Sequence, residues 1–271
     1  MAGPEDLTLS LIADHRILDR AAGLNEPSGL TLNTDGTALY TVSDDTKAIF
    51  KLDLRGRLRI SESFFIGVDD LEGITISTDG RRLLAVHEQT NSIITVDIAS
   101  RKEISRQPLA AMENFGLVAD HFPDPPDNKG LEGITVNTRN NHVFVVKEGR
   151  PGVLIEISPD LEAIIAARLL SATNGFKHPR VDPDKLDFSG LSHDSTSDRL
   201  WITSDKGQCL FHYDWSTDQV LQRLDLNLES NQKPARIRKS EGVAFDPVKR
   251  RLYVVSDRDA RLYVFQVNGD A

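Results

Sequence analysis

One pattern limits what this chain can fold into more than any other. A glycine preceded by Glu or Ser and followed by an apolar run returns five times. The glycines are Gly29, Gly73, Gly133, Gly190 and Gly242, in "PSGLTL", "LEGITI", "LEGITV", "FSGLSH" and "SEGVAF", and successive copies lie 44, 60, 57 and 52 residues apart. The copies then keep register without gaps. Ten residues after the glycine stands an apolar side chain (Leu39, Leu83, Val143, Leu200, Leu252), and the stretch between is rich in Asn, Asp, Gly, Ser and Pro, the chemistry of tight hairpin turns. Nineteen residues after each glycine a third apolar segment opens: "AIFKLD", "SIITVD", "GVLIEI", "CLFHYD" and "RLYVFQ". A fourth follows in four copies, as "RISESFFI", "ISRQPL", "AIIAARLL" and "VLQRLDL".

The fifth copy stops after its third segment, while the chain begins with an unpaired strand-like stretch, "LTLSLIADHRIL" (7–18). A ring reconciles the two, because the N-terminal strand can complete the last unit and leave few exposed edges. The expected fold is therefore all-β: a five-bladed β-propeller of four-stranded blades, with residues 1–271 forming one domain. Blade motifs start near residues 26, 70, 130, 187 and 239, and residues 7–18 complete the last blade. An open sandwich of meanders is the alternative, but it does not require equivalent registers in every copy.

Composition narrows the function. The net charge of −9 argues against a nucleic-acid partner, which needs a basic stripe. Cys209 is the only cysteine, so no internal disulfide or Cys-ligated zinc site can form. No apolar run reaches the ~18 residues of a membrane span, and Met1–Leu11 has neither a basic nor an apolar leader segment. As written, the sequence reads as a cytoplasmic monomer.

Positions equidistant from a hairpin turn face one another. The residue before each glycine and the residue fifteen after it therefore emerge at one end of the propeller, at the mouth of its channel. The first column reads Ser28, Glu72, Glu132, Ser189, Glu241, and the second reads Asp44, Glu88, Glu148, Asp205, Asp257. Three glutamates converging on an axis would repel one another and raise their own pKa values unless a cation sat among them. An oxygen-only shell with serine hydroxyl or backbone oxygens suits Ca²⁺, which accepts six to eight oxygens in loose geometry. The seven histidines show no zinc-binding spacing. For the first column we expect calcium ligation. For the second, capping of turns or pairing with Lys129, Lys147, Lys239 and Arg258 is the preferred reading.

These residues bring a family into view. The chain resembles the SdiA-regulated, YjiK-like bacterial β-propellers, which include calcium-regulated members. "GLEGITVNTRNNHVFVVKEGRPGVLIEIS", "DFSGLSHDSTSDRLWITSD" and "SEGVAFDPVKRRLYVVSDRDARLYVF" carry most of the likeness. The Ser, Glu, Glu, Ser, Glu order is also similar to the central calcium site of five-bladed calcium-activated nucleotidases (apyrases), and "SDDTKAIFKLD" (43–53) to their first blade. The resemblance implies that Ser28, Glu72, Glu132, Ser189 and Glu241 are calcium ligands and that Asp44 belongs to a nucleotide site or stands behind the ligands. It also implies a periplasmic or envelope location, with a leader ahead of Met1.

Three functions follow from different classes. The first is a calcium-binding sensor, homeostasis or interaction protein. The second is a calcium-dependent phosphoesterase, phytase-like or nucleotidase-like, acting at the channel mouth on a phosphate-bearing small molecule. Long loops supply its cations: Lys129, Lys177, His178, Arg180, Lys233, Arg236, Arg238 and Lys239. Asp44, His87 and Lys147 are its candidate proton-transfer or phosphate-contacting groups. The third is a metal-independent scaffold for a protein partner.

Overall fold

The computed structural model describes residues 6–43, 46–123, 129–228 and 235–269. It contains five four-stranded antiparallel sheets arranged as the blades of a propeller. Blade one comprises Pro27–Leu32, Ala38–Ser43, Ala48–Asp53 and Phe64–Phe65, and blade two Leu71–Ile76, Arg82–His87, Ser92–Asp97 and Lys102–Pro108. Blade three holds Leu131–Val136, Val143–Lys147, Gly152–Ile157 and Ile164–Leu170, and blade four Leu191–Asp194, Arg199–Ser204, Cys209–Asp214 and Gln219–Asp225. Blade five is built from Ser240–Asp246, Arg251–Ser256 and Arg261–Asn268, with Thr8–Arg16 as its outer strand. Thr8 pairs with Asn268 and Arg16 with Arg261, so the N-terminal strand closes the ring as expected. Among the described residues no α-helix occurs, and no helix is long and apolar enough to cross a membrane.

The apolar code follows from where each strand lies. Inner strands are buried on both faces because a neighbouring blade packs on each side. In Val143–Lys147, Val143 and Val145 join the cluster shared with blade two, whereas Phe144 and Val146 join the cluster shared with blade four. Period-2 alternation thus divides one apolar run between two cores. Five such clusters, one per blade interface, hold the ring together. Outer strands have a single packed face, and Thr8–Arg16 alternates exposed and half-buried residues throughout.

Blade one departs from the expected pattern. Instead of an outer strand across residues 59–66, it forms a 3-10 turn at Ile60–Glu62 and the two-residue strand Phe64–Phe65. Arg59 N donates to Lys51 O at 2.8 Å, and Lys51 N then donates to the Ser63 hydroxyl at 3.0 Å. A side chain there takes the place of a backbone acceptor, so the ladder lapses.

Candidate metal centre

Four of the five inner strands begin in a bulge, the exception among the described pairings being Leu191–Asp194. Leu131 pairs with Lys147 but Gly133 pairs with Val146, which leaves Glu132 as the extra residue. The same shift occurs at Leu71/Ile74, Pro27/Leu30 and Ser240/Gly242. A bulge re-aims its side chain away from the ladder, here toward the channel mouth. The following glycine makes the next contact possible. A Cβ on Gly29 would lie 2.5 Å from Glu72 O, on Gly73 2.3 Å from Glu132 O, on Gly133 2.9 Å from Ser189 O, on Gly190 2.7 Å from Glu241 O, and on Gly242 2.5 Å from Ser28 O. Five inner strands therefore meet backbone to backbone in a closed circuit that only glycine permits. The residues before those glycines are carried to a common point.

That point is a cavity of about 440 Å³ lined by Ser28, Glu72, Glu132, Ser189 and Glu241 together with Glu88, Glu148, Asp205 and Asp257. Both columns converge there, except Asp44, which lies outside the described residues. Sequence reasoning missed Glu26, Asp70, Asp187 and Lys206, which also line the cavity. Three of these belong to a further column, three residues before each glycine: Glu26, Asp70, Gly130, Asp187 and Lys239. Among the described residues the lining holds ten carboxylates and three lysines. Fully ionised, it would concentrate most of the chain's net negative charge at one spot.

Blade two shows how the side chains are placed. After Arg82–His87 the chain turns through a 3-10 segment, Glu88–Thr90, where Gln89 N donates to Asp70 Oδ2 at 2.7 Å. Gly130 N donates to Glu88 Oε1 at 3.0 Å. A Cβ at position 130 would meet Glu88 Cγ at 2.8 Å and Asn91 Oδ1 at 2.6 Å, so the missing side chain in the third column makes room for Glu88. Among the described residues two groups result in which three carboxylate oxygens lie within 4.8 Å of one another: Asp70, Glu72, Glu88 and Glu88, Glu132, Glu148. Glu88 belongs to both. Glu241 belongs to neither, so the closest approach of carboxylates is displaced from the axis toward blades two and three.

The electrostatics follow. Glu132 has its pKa driven well above the ordinary value by burial first, then by Glu72, Glu241, Glu88 and Glu148 around it. Glu241 is pushed up to about 8 by burial and by Asp205, Asp257 and Asp187, against an opposing pull from Lys239. Asp205 is also raised, by burial and Asp187. The periphery is better compensated. Lys129 pairs with Glu148 at 2.6 Å, Lys206 with Asp187 at 3.3 Å, and Lys239 with Asp257. Ser28 donates to Glu72 Oε2 at 2.6 Å, while the Ser189 hydroxyl donates to Ser240 O at 2.7 Å.

His87 and Lys147 do not line the cavity. The His87 Nδ1 contacts the Thr90 hydroxyl at 2.8 Å, and burial lowers its pKa. Lys147 donates to Gly149 O at 2.7 Å and lies 5.9 Å from the centre of the Phe122 ring. Each precedes a cavity residue by one position in or at the end of a strand, and alternation sends neighbours to opposite sides. Of the loop cations, Lys129 and Lys239 reach the cavity, and Lys233 lies outside the described residues.

A family model described as SdiA-regulated matches residues 15–266. The chain belongs to the SdiA-regulated family. No curated protein matches it. Among solved structures, this SdiA-regulated propeller superposes on the Myxococcus xanthus glutaminyl cyclase with a TM-score of 0.66 at 14% identity, covering 99% of this chain and 100% of that one. A β-propeller domain from Myceliophteria thermophila gives a TM-score of 0.52 at 10% identity, covering 96% and 100%. At such identities the likeness concerns the fold alone.

Proposed function

We propose that this SdiA-regulated propeller binds a divalent cation, Ca²⁺, at the channel mouth and serves as a calcium-linked sensor, homeostasis or interaction protein. One observation carries the reading: half-buried Glu132 is surrounded by four other carboxylates, all pushing its pKa upward. A hard cation turns that mutual repulsion into attraction. The donor set fits calcium, because every group in the two triads is a carboxylate oxygen and the serines beside them add oxygen only. Among the described residues, no imidazole or thiol of the kind zinc prefers lines the cavity. Glu72, Glu88 and Glu132 would hold the ion. Asp70 and Glu148 stand close enough to complete its shell, and Ser28, Ser189 and Glu241 close the ring around it. The bound ion would supply positive charge that ties blades two and three together.

The test is equilibrium dialysis of chelator-treated protein against ⁴⁵Ca²⁺, with Mg²⁺ as competitor. Saturable calcium binding that excess Mg²⁺ fails to displace supports the reading. No retained calcium at millimolar concentration overturns it.

A further inference from the structure

We infer that the outer part of blade four carries an anion-binding site for a phosphate group, built from His178, Arg180, Arg223 and Arg236. This goes beyond the cation reading and does not rest on it. The pairings Ser204 with Cys209 and Cys209 with Asp225 trace a line across the blade at the end where Asp205 meets the mouth, so Asp225 stands outward on the same face. Three guanidinium groups converge on that single carboxylate: Arg236 at 3.1 Å, Arg223 at 3.2 Å and Arg180 at 3.8 Å. Among the described residues one Asp satisfies one unit of charge, and the cluster keeps a surplus of two.

A second observation points to a missing acceptor. The His178 residue is only 8% exposed. Its Nδ1 receives the Arg180 backbone N–H at 3.2 Å, and its Nε2 faces Arg180 Nη2 at 3.4 Å. A neutral imidazole has one lone pair, whereas both of its nitrogens confront donors. In either tautomer one N–H is set against another. Arg236 Nη1 is likewise buried with no hydrogen-bond partner among the described residues. Two separate donors thus want an acceptor beside an unbalanced arginine cluster. A tetrahedral oxyanion supplies several acceptor oxygens and the compensating charge, and arginine forks match its geometry.

The experiment titrates inorganic phosphate into chelator-treated protein by calorimetry at constant ionic strength, with chloride as control and p-nitrophenyl phosphate as a second arm. Saturable phosphate heat is expected, with a response to p-nitrophenyl phosphate only if the site also admits esters. The Arg180 side chain is half exposed, so Arg180→Gln keeps the fold, and it should weaken phosphate at least tenfold. Asp225→Asn removes the internal competitor and should tighten phosphate severalfold, a gain that a purely structural role for Asp225 would not produce. Heat no greater than chloride gives, or affinity unmoved by Arg180→Gln, overturns the site. So does weaker binding in a folded Asp225→Asn variant. Because the protein is chelator-treated, none of these outcomes bears on calcium.

Discussion

Replacing Glu132 with Gln separates the cation reading from a structural role for the acidic cluster, because the first predicts a loss only in calcium and the second a loss without it. Two ionised carboxylates whose oxygens lie within 4.8 Å of one another repel by about 3.5 kcal/mol or more at an effective dielectric of 20. With Glu88 and Glu148 at that range and Glu72 and Glu241 adding to the effect, burial and repulsion shift Glu132 toward its protonated form when no cation is bound. The amide introduced by Glu132→Gln would mimic that neutral acid in shape and hydrogen bonding, so the metal-free variant should match wild type within about 1 kcal/mol. Calcium should behave differently. At a hundred times its Kd, a ligand of the native state adds about 2.7 kcal/mol. For a chain of this size that is a rise in Tm of roughly 5–10 °C. The variant loses a charged ligand at the centre of the site and should lose most of that rise. The assay is differential scanning calorimetry of both proteins in EDTA and in calcium, with Glu62→Gln, a salt-bridged residue outside the cavity, as control. A Glu132→Gln protein with the full calcium shift would refute the assignment. A metal-free variant several kcal/mol less stable would refute the electrostatic argument beneath it.

Other outcomes follow from the same geometry. Without calcium, stability should fall as pH rises from about 5 to 9. The raised carboxylate pKa values of Glu132 and Glu241 mean that the folded state holds protons the unfolded state has released, so their contribution is full below the unfolded value and lost through about 8 for Glu241. For Glu241 alone the upper bound is about 5 kcal/mol at 1.36 kcal/mol per pKa step, reduced by water in the cavity; thermal melts across pH would show the slope, and calcium should flatten it. Gly73→Ala sets a Cβ 2.3 Å from Glu132 O and should cost about 3 kcal/mol, while Gly116→Ala, with nothing within 4 Å, should be near neutral in urea denaturation. Deleting residues 1–16 bares the strand Arg261–Asn268, and size-exclusion chromatography should show association or loss of the folded species.

Much of this molecule was legible because hairpins are local. The spacing from each glycine to its turn and its third strand sets the register, and ring closure followed from the one strand left over at each end. The two columns were readable for the same reason, since equal distance from a turn brings residues together. The third column was present at constant spacing but lies before the strands, where loops between copies differ in length and no pairing argument applies. Asp70 and Lys239 adopt left-handed backbone there, with φ of 58° and 50°. His87 and Lys147 drew attention only as sequence neighbours of Glu88 and Glu148, and strand alternation turns that adjacency into separation. The arginines around Asp225 come from three segments without common periodicity, so only the folded chain joins them.

The two serines of the first column decide what the glutamates are for. Ser28 and Ser189 occupy the same position relative to their glycines as Glu72, Glu132 and Glu241, and their carbonyls meet the preceding blade's glycine in the same way. Backbone closure of the ring therefore needs the glycine and the extra residue before it, but no charge on that residue. Carboxylates at three of the five places add repulsion that folding alone has no use for. Natural chains keep such strain chiefly where a site requires it. The Glu-Gly step thus combines two functions that can be separated by mutation: the glycine sets the distance between blades, and the glutamate supplies the charge that the proposed cation answers.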